Sequence, residues 1–256
     1  MYVIFKSLLA SSVFMMAVPM PAHALQDAPD YRAAVVAEGR SEADVALDES
    51  RKPAELLQFM GLEQGDDAID IFAGGGYYSE LMGRVVGDEG SVLAINPPQF
   101  VSSDAAKANW AALSQREPNV TMEGVQLSDF NADPESYDFA MLHLIYHDMY
   151  WESEQYKFER MDPAAFLKEL YDAMKPGGIV AVVDHSGPSG DTREVVEKFH
   201  RINEAIVRRD FEATGFELVD SSDMLRMEGD DLTLNVFDPA IRGKTDRFVL
   251  KFRKKP

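Results

Sequence analysis

The run AIDIFAGGGYYSEL, residues 68–81, most constrains what this chain can fold into. A short apolar strand breaks into three consecutive glycines and restarts as a helix. Glycine admits positive φ and lets a backbone approach a ligand closely, while the first turn of a helix presents unpaired amides. The segment therefore reads as a cradle for a small ligand bearing a carboxylate or phosphate. A plain glycine-rich turn between strand and helix is the other reading of the same residues.

Downstream, short apolar runs alternate with amphipathic ones: AIDIF, YYSELMGRVVG, SVLAIN, AAKANWAALSQ, VTMEGV, YDFAMLHLI, AAFLKELYDAM and IVAVVDH. Near-continuous Val/Ile/Leu strands with helices between them imply an α/β chain with a mostly parallel sheet covered by helices on both faces. Ligands then bind at the carboxyl ends of the strands. After Asp191, the residues DTRE form an N-cap pattern, and Val195, Phe199, Ile202 and Ile206 recur at helical spacing, which predicts one helix packed on the sheet. FELVDSS and DRFVLKFRK read as two further strands. The polar connection between them, with Pro239 and Gly243, holds no helix long enough for a parallel crossover, so the sheet is expected to close with an antiparallel C-terminal strand pair.

Three parts are expected. Lys6, the apolar stretch from Leu8 to Val18 and the Ala22-His23-Ala24 site mark residues 1–24 as a signal peptide cleaved after Ala24, giving a periplasmic or secreted protein. The apolar run is shorter than the ~20 residues that span a bilayer, so no stable membrane insertion is expected after cleavage. Residues 25–64 form an N-terminal helical lid or flank in which Pro53 opens AELLQFMGL and Gly61 ends it. Residues 65–256 form the α/β domain.

Charge and composition remove several function classes. With 44 acidic against 25 basic residues and a net charge of −19, the chain repels phosphate backbones, so no nucleic-acid partner is expected. It has no cysteine, which excludes disulfides, thiolate catalysis and cysteine metal sites. A small-molecule substrate is the remaining expectation.

The glycine turn lacks the third glycine of a dinucleotide-binding G-x-G-x-x-G pattern, since Ser79 stands there. Together with LKELYDAMKPGGIVAVVDH and the closing strand pair, it instead resembles the class I S-adenosylmethionine-dependent methyltransferases, over roughly Arg51 to the C-terminus. AGGGYYSE, INPP, YHD at 146–148, VVDH, FHRI and RGKTDRF look more narrowly like a bacterial family of exported predicted methyltransferases. The resemblance implies a Rossmann-like seven-stranded sheet, S-adenosylmethionine as cofactor and methyl transfer to a small molecule. It implies that Asp70 organises the glycine loop and that Ala73, Gly74, Gly75 and Gly76 lie against the methionine part of the cofactor. The helix from Tyr77 would face the cofactor carboxylate. Asn96 stands where an acidic residue usually grips the ribose hydroxyls, and Asp129 with Phe130 where the adenine is held. Phe72 departs from the pattern, replacing its first glycine.

Histidines carry the remaining chemistry. His143, His147, His185 and His200 all fall at or just beyond predicted strand ends or on the next helix. His147-Asp148 and Asp184-His185 are each candidates for a general base tuned by the adjacent carboxylate. The catalytic candidates are thus His147, His185 and Asp148, with Tyr146, Tyr150 and Trp151 as a candidate aromatic wall. This leading reading assigns no metal ligand. Two other functions compete with it: an exported small-molecule-binding protein on a fold that has lost turnover, motivated by Phe72 and Asn96, and a zinc hydrolase built from His143, His147, Asp184 and His185. The H-x-x-x-H spacing lacks the metalloprotease Glu and begins in a predicted strand, where i and i+4 share no helical face.

Overall fold

A computed structural model describes residues 29–256, and the expected signal peptide lies outside the described residues. Four short helices come first: α1 (Tyr31–Val36), α2 (Glu42–Val45), α3 (Asp48–Arg51) and α4 (Pro53–Met60). Pro53 opens α4 where its missing N–H costs nothing, and Gly61 closes it in the left-handed conformation (φ 77°). Then come β1 (Asp67–Ile71), α5 (Tyr77–Val86), β2 (Ser91–Asn96), α6 (Asp104–Arg116), β3 (Val120–Gly124), β4 (Tyr137–His143), α7 (Pro163–Ala173), β5 (Met174–His185), α8 (Thr192–Phe199), α9 (Glu204–Thr214), β6 (Glu217–Ser222) and β7 (Arg247–Arg253).

The seven strands form one sheet in the order β3-β2-β1-β4-β5-β7-β6. The first five are parallel, and β7 runs antiparallel to both β5 and β6, as the missing crossover helix requires. Strand order reverses between β1 and β4, which places a crevice at their carboxyl ends.

Side chains alternate between two cores. Ile69, Ile71, Ala140, Leu142, Val180 and Val182 pack with residues of α7 and α9 on one face. Ala68, Phe139, Met141, Ala181 and Val183 pack on the other with Leu56, Leu57 and Met60 of α4 and Leu81 and Met82 of α5. The flank is thereby joined to the domain by buried apolar surface, at about 25 cal/mol per Å² removed from water.

One expected helix is two. The spacing of Val195, Phe199, Ile202 and Ile206 predicts a continuous helix, but the chain leaves α8 at His200, in the left-handed conformation (φ 51°), and re-enters a helix only at Glu204. The intervening residues return to the sheet: Ile202 N–H donates to the His185 carbonyl at 3.1 Å, and Gly187 N–H donates to the Ile202 carbonyl at 2.8 Å. A Cβ on Gly187 would lie 2.9 Å from the Ile202 backbone, so only glycine permits this approach. Arg201 is fully buried there, bonded to Asp230 (2.7 Å) and to the carbonyls of Ser186 and Leu234. Tertiary pairing has overridden a helical periodicity.

Candidate functional site

The glycine turn lines a cavity of about 340 Å³ at the carboxyl end of β1. Asp70, Phe72, Ala73, Gly74 and Gly75 line it together with Tyr77, Tyr78 and His143. Asp44, Leu47 and Arg51 of the flank complete its lining. Sequence reasoning missed these three. A helical lid or flank is what the sequence predicts, but nothing in the spacing of these three residues singles them out as lining the cavity.

Asp70 is buried and accepts a 2.6 Å hydrogen bond from Ser79 Oγ. Ser79, at the place of the missing third glycine, thus ties β1 to α5. Burial pushes the Asp70 carboxyl up to about 7, against the Ser79 hydrogen bonds and the Arg51 charge that lower it. The Arg51 guanidinium lies 4.2 Å over the Tyr77 ring and forms no salt bridge among the described residues. Tyr77 in turn donates from its hydroxyl to Asp48 (2.6 Å), which also pairs with Arg40 (2.7 Å).

The three glycines do different jobs. Gly74, at φ 57°, has no atom within 4 Å of the point where a Cβ would stand, so its face opens to the cavity. Gly75 carbonyl accepts from Asn109 at 2.8 Å. Gly76 is buried, and a Cβ there would meet Leu113 at 2.5 Å and Trp110 at 2.9 Å. Its small size serves the packing of α5 against α6 rather than ligand approach.

Asn96 is fully buried, and its side-chain oxygen accepts the Gly74 N–H at 2.8 Å. The amide expected at the ribose hydroxyls is therefore engaged with the loop itself. Asp129 and Phe130 line a separate cavity of about 400 Å³ with Leu127, Met161 and Phe166. Phe72 stands in the left-handed region (φ 54°), and its ring packs on Phe100 and Phe158, with centroids 5.0 and 6.1 Å away.

The histidine–carboxylate pairs are crossed relative to the sequence. His147 Nδ1 lies 2.7 Å from Asp184 Oδ1, and the His147 backbone N–H donates to Asp184 Oδ2 at 2.8 Å. His185, the sequence neighbour of Asp184, turns its ring to Thr245 Oγ1 at 2.8 Å. Burial disfavours a charged His147, but the Asp184 and Asp148 carboxylates prevail and raise it to about 9. Burial lowers His185 to about 3, which leaves a neutral and weakly basic ring. The same effect, reinforced by the charge on His147, lowers His200 to about 4. His143 packs against Tyr78 at the cavity (4.6 Å between centroids), away from His147. The four-residue zinc set of His143, His147, Asp184 and His185 does not converge. Among the described residues, the metal-compatible group is His147, Asp148 and His200.

Solved structures share this architecture. The chain overlays a SAM-dependent methyltransferase from Aquifex aeolicus with a TM-score of 0.57 at 20% identity, covering 83% of this chain and 93% of that one. This is the Rossmann-like fold of the class I methyltransferases. The 1,6-didemethyltoxoflavin-N1-methyltransferase of Burkholderia thailandensis, solved with 1,6-didemethyltoxoflavin and S-adenosylhomocysteine, overlays at 0.53 with 18% identity, over 94% of each chain. The [4+2]-cyclase SpnF overlays at 0.54 with 19% identity, over 86% of this chain and 85% of that one. No protein-family model matches the sequence, and no curated protein matches it significantly. The similarity thus resides in the fold, and the narrower exported family finds no support in these comparisons.

Proposed function

We propose that this chain transfers a methyl group from S-adenosylmethionine to a small molecule. The observation that carries the reading is the cavity at the carboxyl end of β1, on a fold whose solved neighbours include SAM-dependent methyltransferases. Its residues fit the amino-acid end of the cofactor: Arg51 for the carboxylate, Asp70 for positive charge once ionised above about pH 7, and the open face of Gly74 for close backbone approach. When bound, S-adenosylmethionine supplies an electrophilic methyl group, and the chain's part is to align the acceptor and exclude water. An acceptor at the carboxyl ends of β4 and β5 would meet the partly exposed Trp151, with His147 buried behind it; Tyr146, expected in the aromatic wall, is instead fully buried with its hydroxyl on Asp210. At neutral pH His147 holds its proton, so it would stabilise an anionic acceptor rather than deprotonate a neutral one.

A binding-only protein is the second reading, favoured by the engagement of Asn96 with Gly74 and by Phe72 packing beside the cradle. A [4+2]-cyclase on the same fold illustrates that the fold leaves the reaction open. Export through the expected signal peptide is also part of our proposal. Because S-adenosylmethionine is a cytosolic product, export favours the binding-only reading.

Calorimetric titration of the full chain with S-adenosylmethionine and S-adenosylhomocysteine, beside an Arg51→Leu variant, tests both readings. Millimolar or tighter binding that Arg51→Leu weakens by about tenfold supports the cradle. Transfer of labelled methyl to a small-molecule extract then separates enzyme from binder. A folded protein that binds neither compound at millimolar concentration defeats the cofactor assignment.

A further inference from the structure

Beyond the carboxyl ends of β4 and β5, three potential ligand atoms converge from two separate turns. His147 and Asp148 come from the 3-10 turn Tyr146–Tyr150 that follows β4, and His200 from the left-handed residue that ends α8. His147 Nε2 lies 3.4 Å from Asp148 Oδ1, and His200 Nε2 lies 3.9 Å from the same oxygen. All three groups offer atoms within 4.8 Å of one another. Asp148 Oδ1 is buried with no hydrogen-bond partner, as is the other ring nitrogen of His200.

A shared proton does not account for this. In a charge-assisted hydrogen bond the proton lies near the line between nitrogen and oxygen, which draw to about 2.7–2.9 Å. Here the separation is 3.4 Å and Oδ1 remains without a hydrogen bond. A cation instead sits off that line, at the apex of a triangle. Two ligand atoms each about 2.0–2.1 Å from a tetrahedral zinc ion stand roughly 3.3–3.4 Å apart. The His147–Asp148 pair has that spacing, and His200 Nε2, 3.9 Å from Asp148 Oδ1, needs to approach that oxygen by about half an ångström to match it.

The outer contacts agree. Asp184, with no exposed side-chain surface, holds His147 Nδ1 at 2.7 Å, so Nδ1 keeps its proton and an arriving cation would displace the one on Nε2 and take up that lone pair. A carboxylate behind a metal-ligating imidazole orients the ring and raises its basicity. Two His nitrogens and one carboxylate, with no thiolate, suit zinc or a similar divalent ion.

We propose that His147 Nε2, Asp148 Oδ1 and His200 Nε2 bind one zinc-like divalent cation, with Asp184 as the outer partner of His147. Three protein ligands leave a fourth position for water or an oxygen of a bound small molecule, as in catalytic rather than structural zinc sites. The site does not depend on the glycine cradle, and its test is independent of S-adenosylmethionine.

Cobalt is the probe, because it replaces zinc and is both coloured and paramagnetic. Untagged full chain, stripped with a chelator, is titrated with Co²⁺ alone. The expected result is one ion per chain, visible d–d absorption, and abolition of that absorption by one equivalent of Zn²⁺. His200→Asn keeps a residue that tolerates left-handed backbone and should weaken binding at least tenfold. Trp151, 5.0 Å from the His200 ring, supplies a second reading. Its fluorescence should be quenched by Co²⁺ in the unmodified protein, while Trp151→Phe, which retains only Trp110, should show no such quenching. The assignment is overturned if the folded protein shows no saturable cobalt absorption at micromolar ion, or if folded His200→Asn binds cobalt unchanged. Should His200→Asn not fold, cobalt binding without Trp151-dependent quenching overturns it equally.

Discussion

His147 and Asp184, 37 residues apart in sequence, meet at 2.7 Å across the ends of β4 and β5 and are both buried. The contact joins the turn after β4 to the carboxyl end of β5 through two bonds, one to the ring and one to the backbone N–H. Removing the Asp184 charge leaves a buried imidazole with only the more distant Asp148 carboxylate, 3.4 Å from Nε2. Asp184→Asn should destabilise the fold by about 3–5 kcal/mol, the cost of breaking a buried pair from one side. Urea unfolding monitored by circular dichroism measures it, and a loss below about 1 kcal/mol would show that His147 is held by other contacts.

Asp70 should make the ligand-free protein less stable as pH rises. Its folded pKa, raised to about 7, exceeds the ordinary 3.8, so between these values the folded chain binds a proton that the unfolded chain has released. Stability from this group is therefore greatest below about pH 4, falls as pH climbs toward 7 and is level above it. Asp70→Asn should flatten that slope in Tm against pH while weakening S-adenosylmethionine binding at pH 8. An unchanged slope would mean that Asp70 is ionised throughout.

Gly74 and Gly76 should respond oppositely to alanine. Gly76→Ala drives a methyl into Leu113 and Trp110 and should cost about 1–3 kcal/mol of stability, more with its φ of 89°. Gly74→Ala meets open space and should cost about 1 kcal/mol for its positive φ alone. Its larger effect is expected on cofactor binding, read by calorimetry. Equal stability losses with unaltered binding would remove Gly74 from the cradle.

The Arg201–Asp230 pair, with 0% and 1% of its side chains exposed, anchors the long polar connection before β7. Asp230 also accepts the Asp246 N–H at 2.7 Å. Asp230→Ala should cost about 3–5 kcal/mol. The exposed Arg160–Glu152 pair is a control, since Glu152→Ala should cost no more than about 1 kcal/mol. Chemical denaturation of both variants decides the contrast.

Much of the fold was legible because its signals are local. The strand–glycine–helix turn, the alternation of apolar runs with amphipathic helices, and Pro53 and Gly61 around α4 each depend on a few adjacent residues. The antiparallel closure was legible because a connection lacking a crossover helix leaves no parallel route. A continuous helix after Asp191 does not form because Ile202, despite its helical spacing, pairs with Ser186 just beyond the end of β5 once Gly187 lets the two backbones approach.

The sequence by itself determined the element types, their parallel order with an antiparallel end, and the position of the cradle, because periodicity and turn chemistry are written over short stretches. Tertiary structure alone decided the partners. Neighbouring residues such as Asp184 and His185 at a strand end point to opposite faces, so His147 took Asp184, His185 took Thr245, and Asp148 was left facing His200. Asn96 met the glycine loop and Arg51 joined the lining of its cavity for the same reason: contacts among side chains far apart in sequence form only when the sheet and its covering helices bring them together.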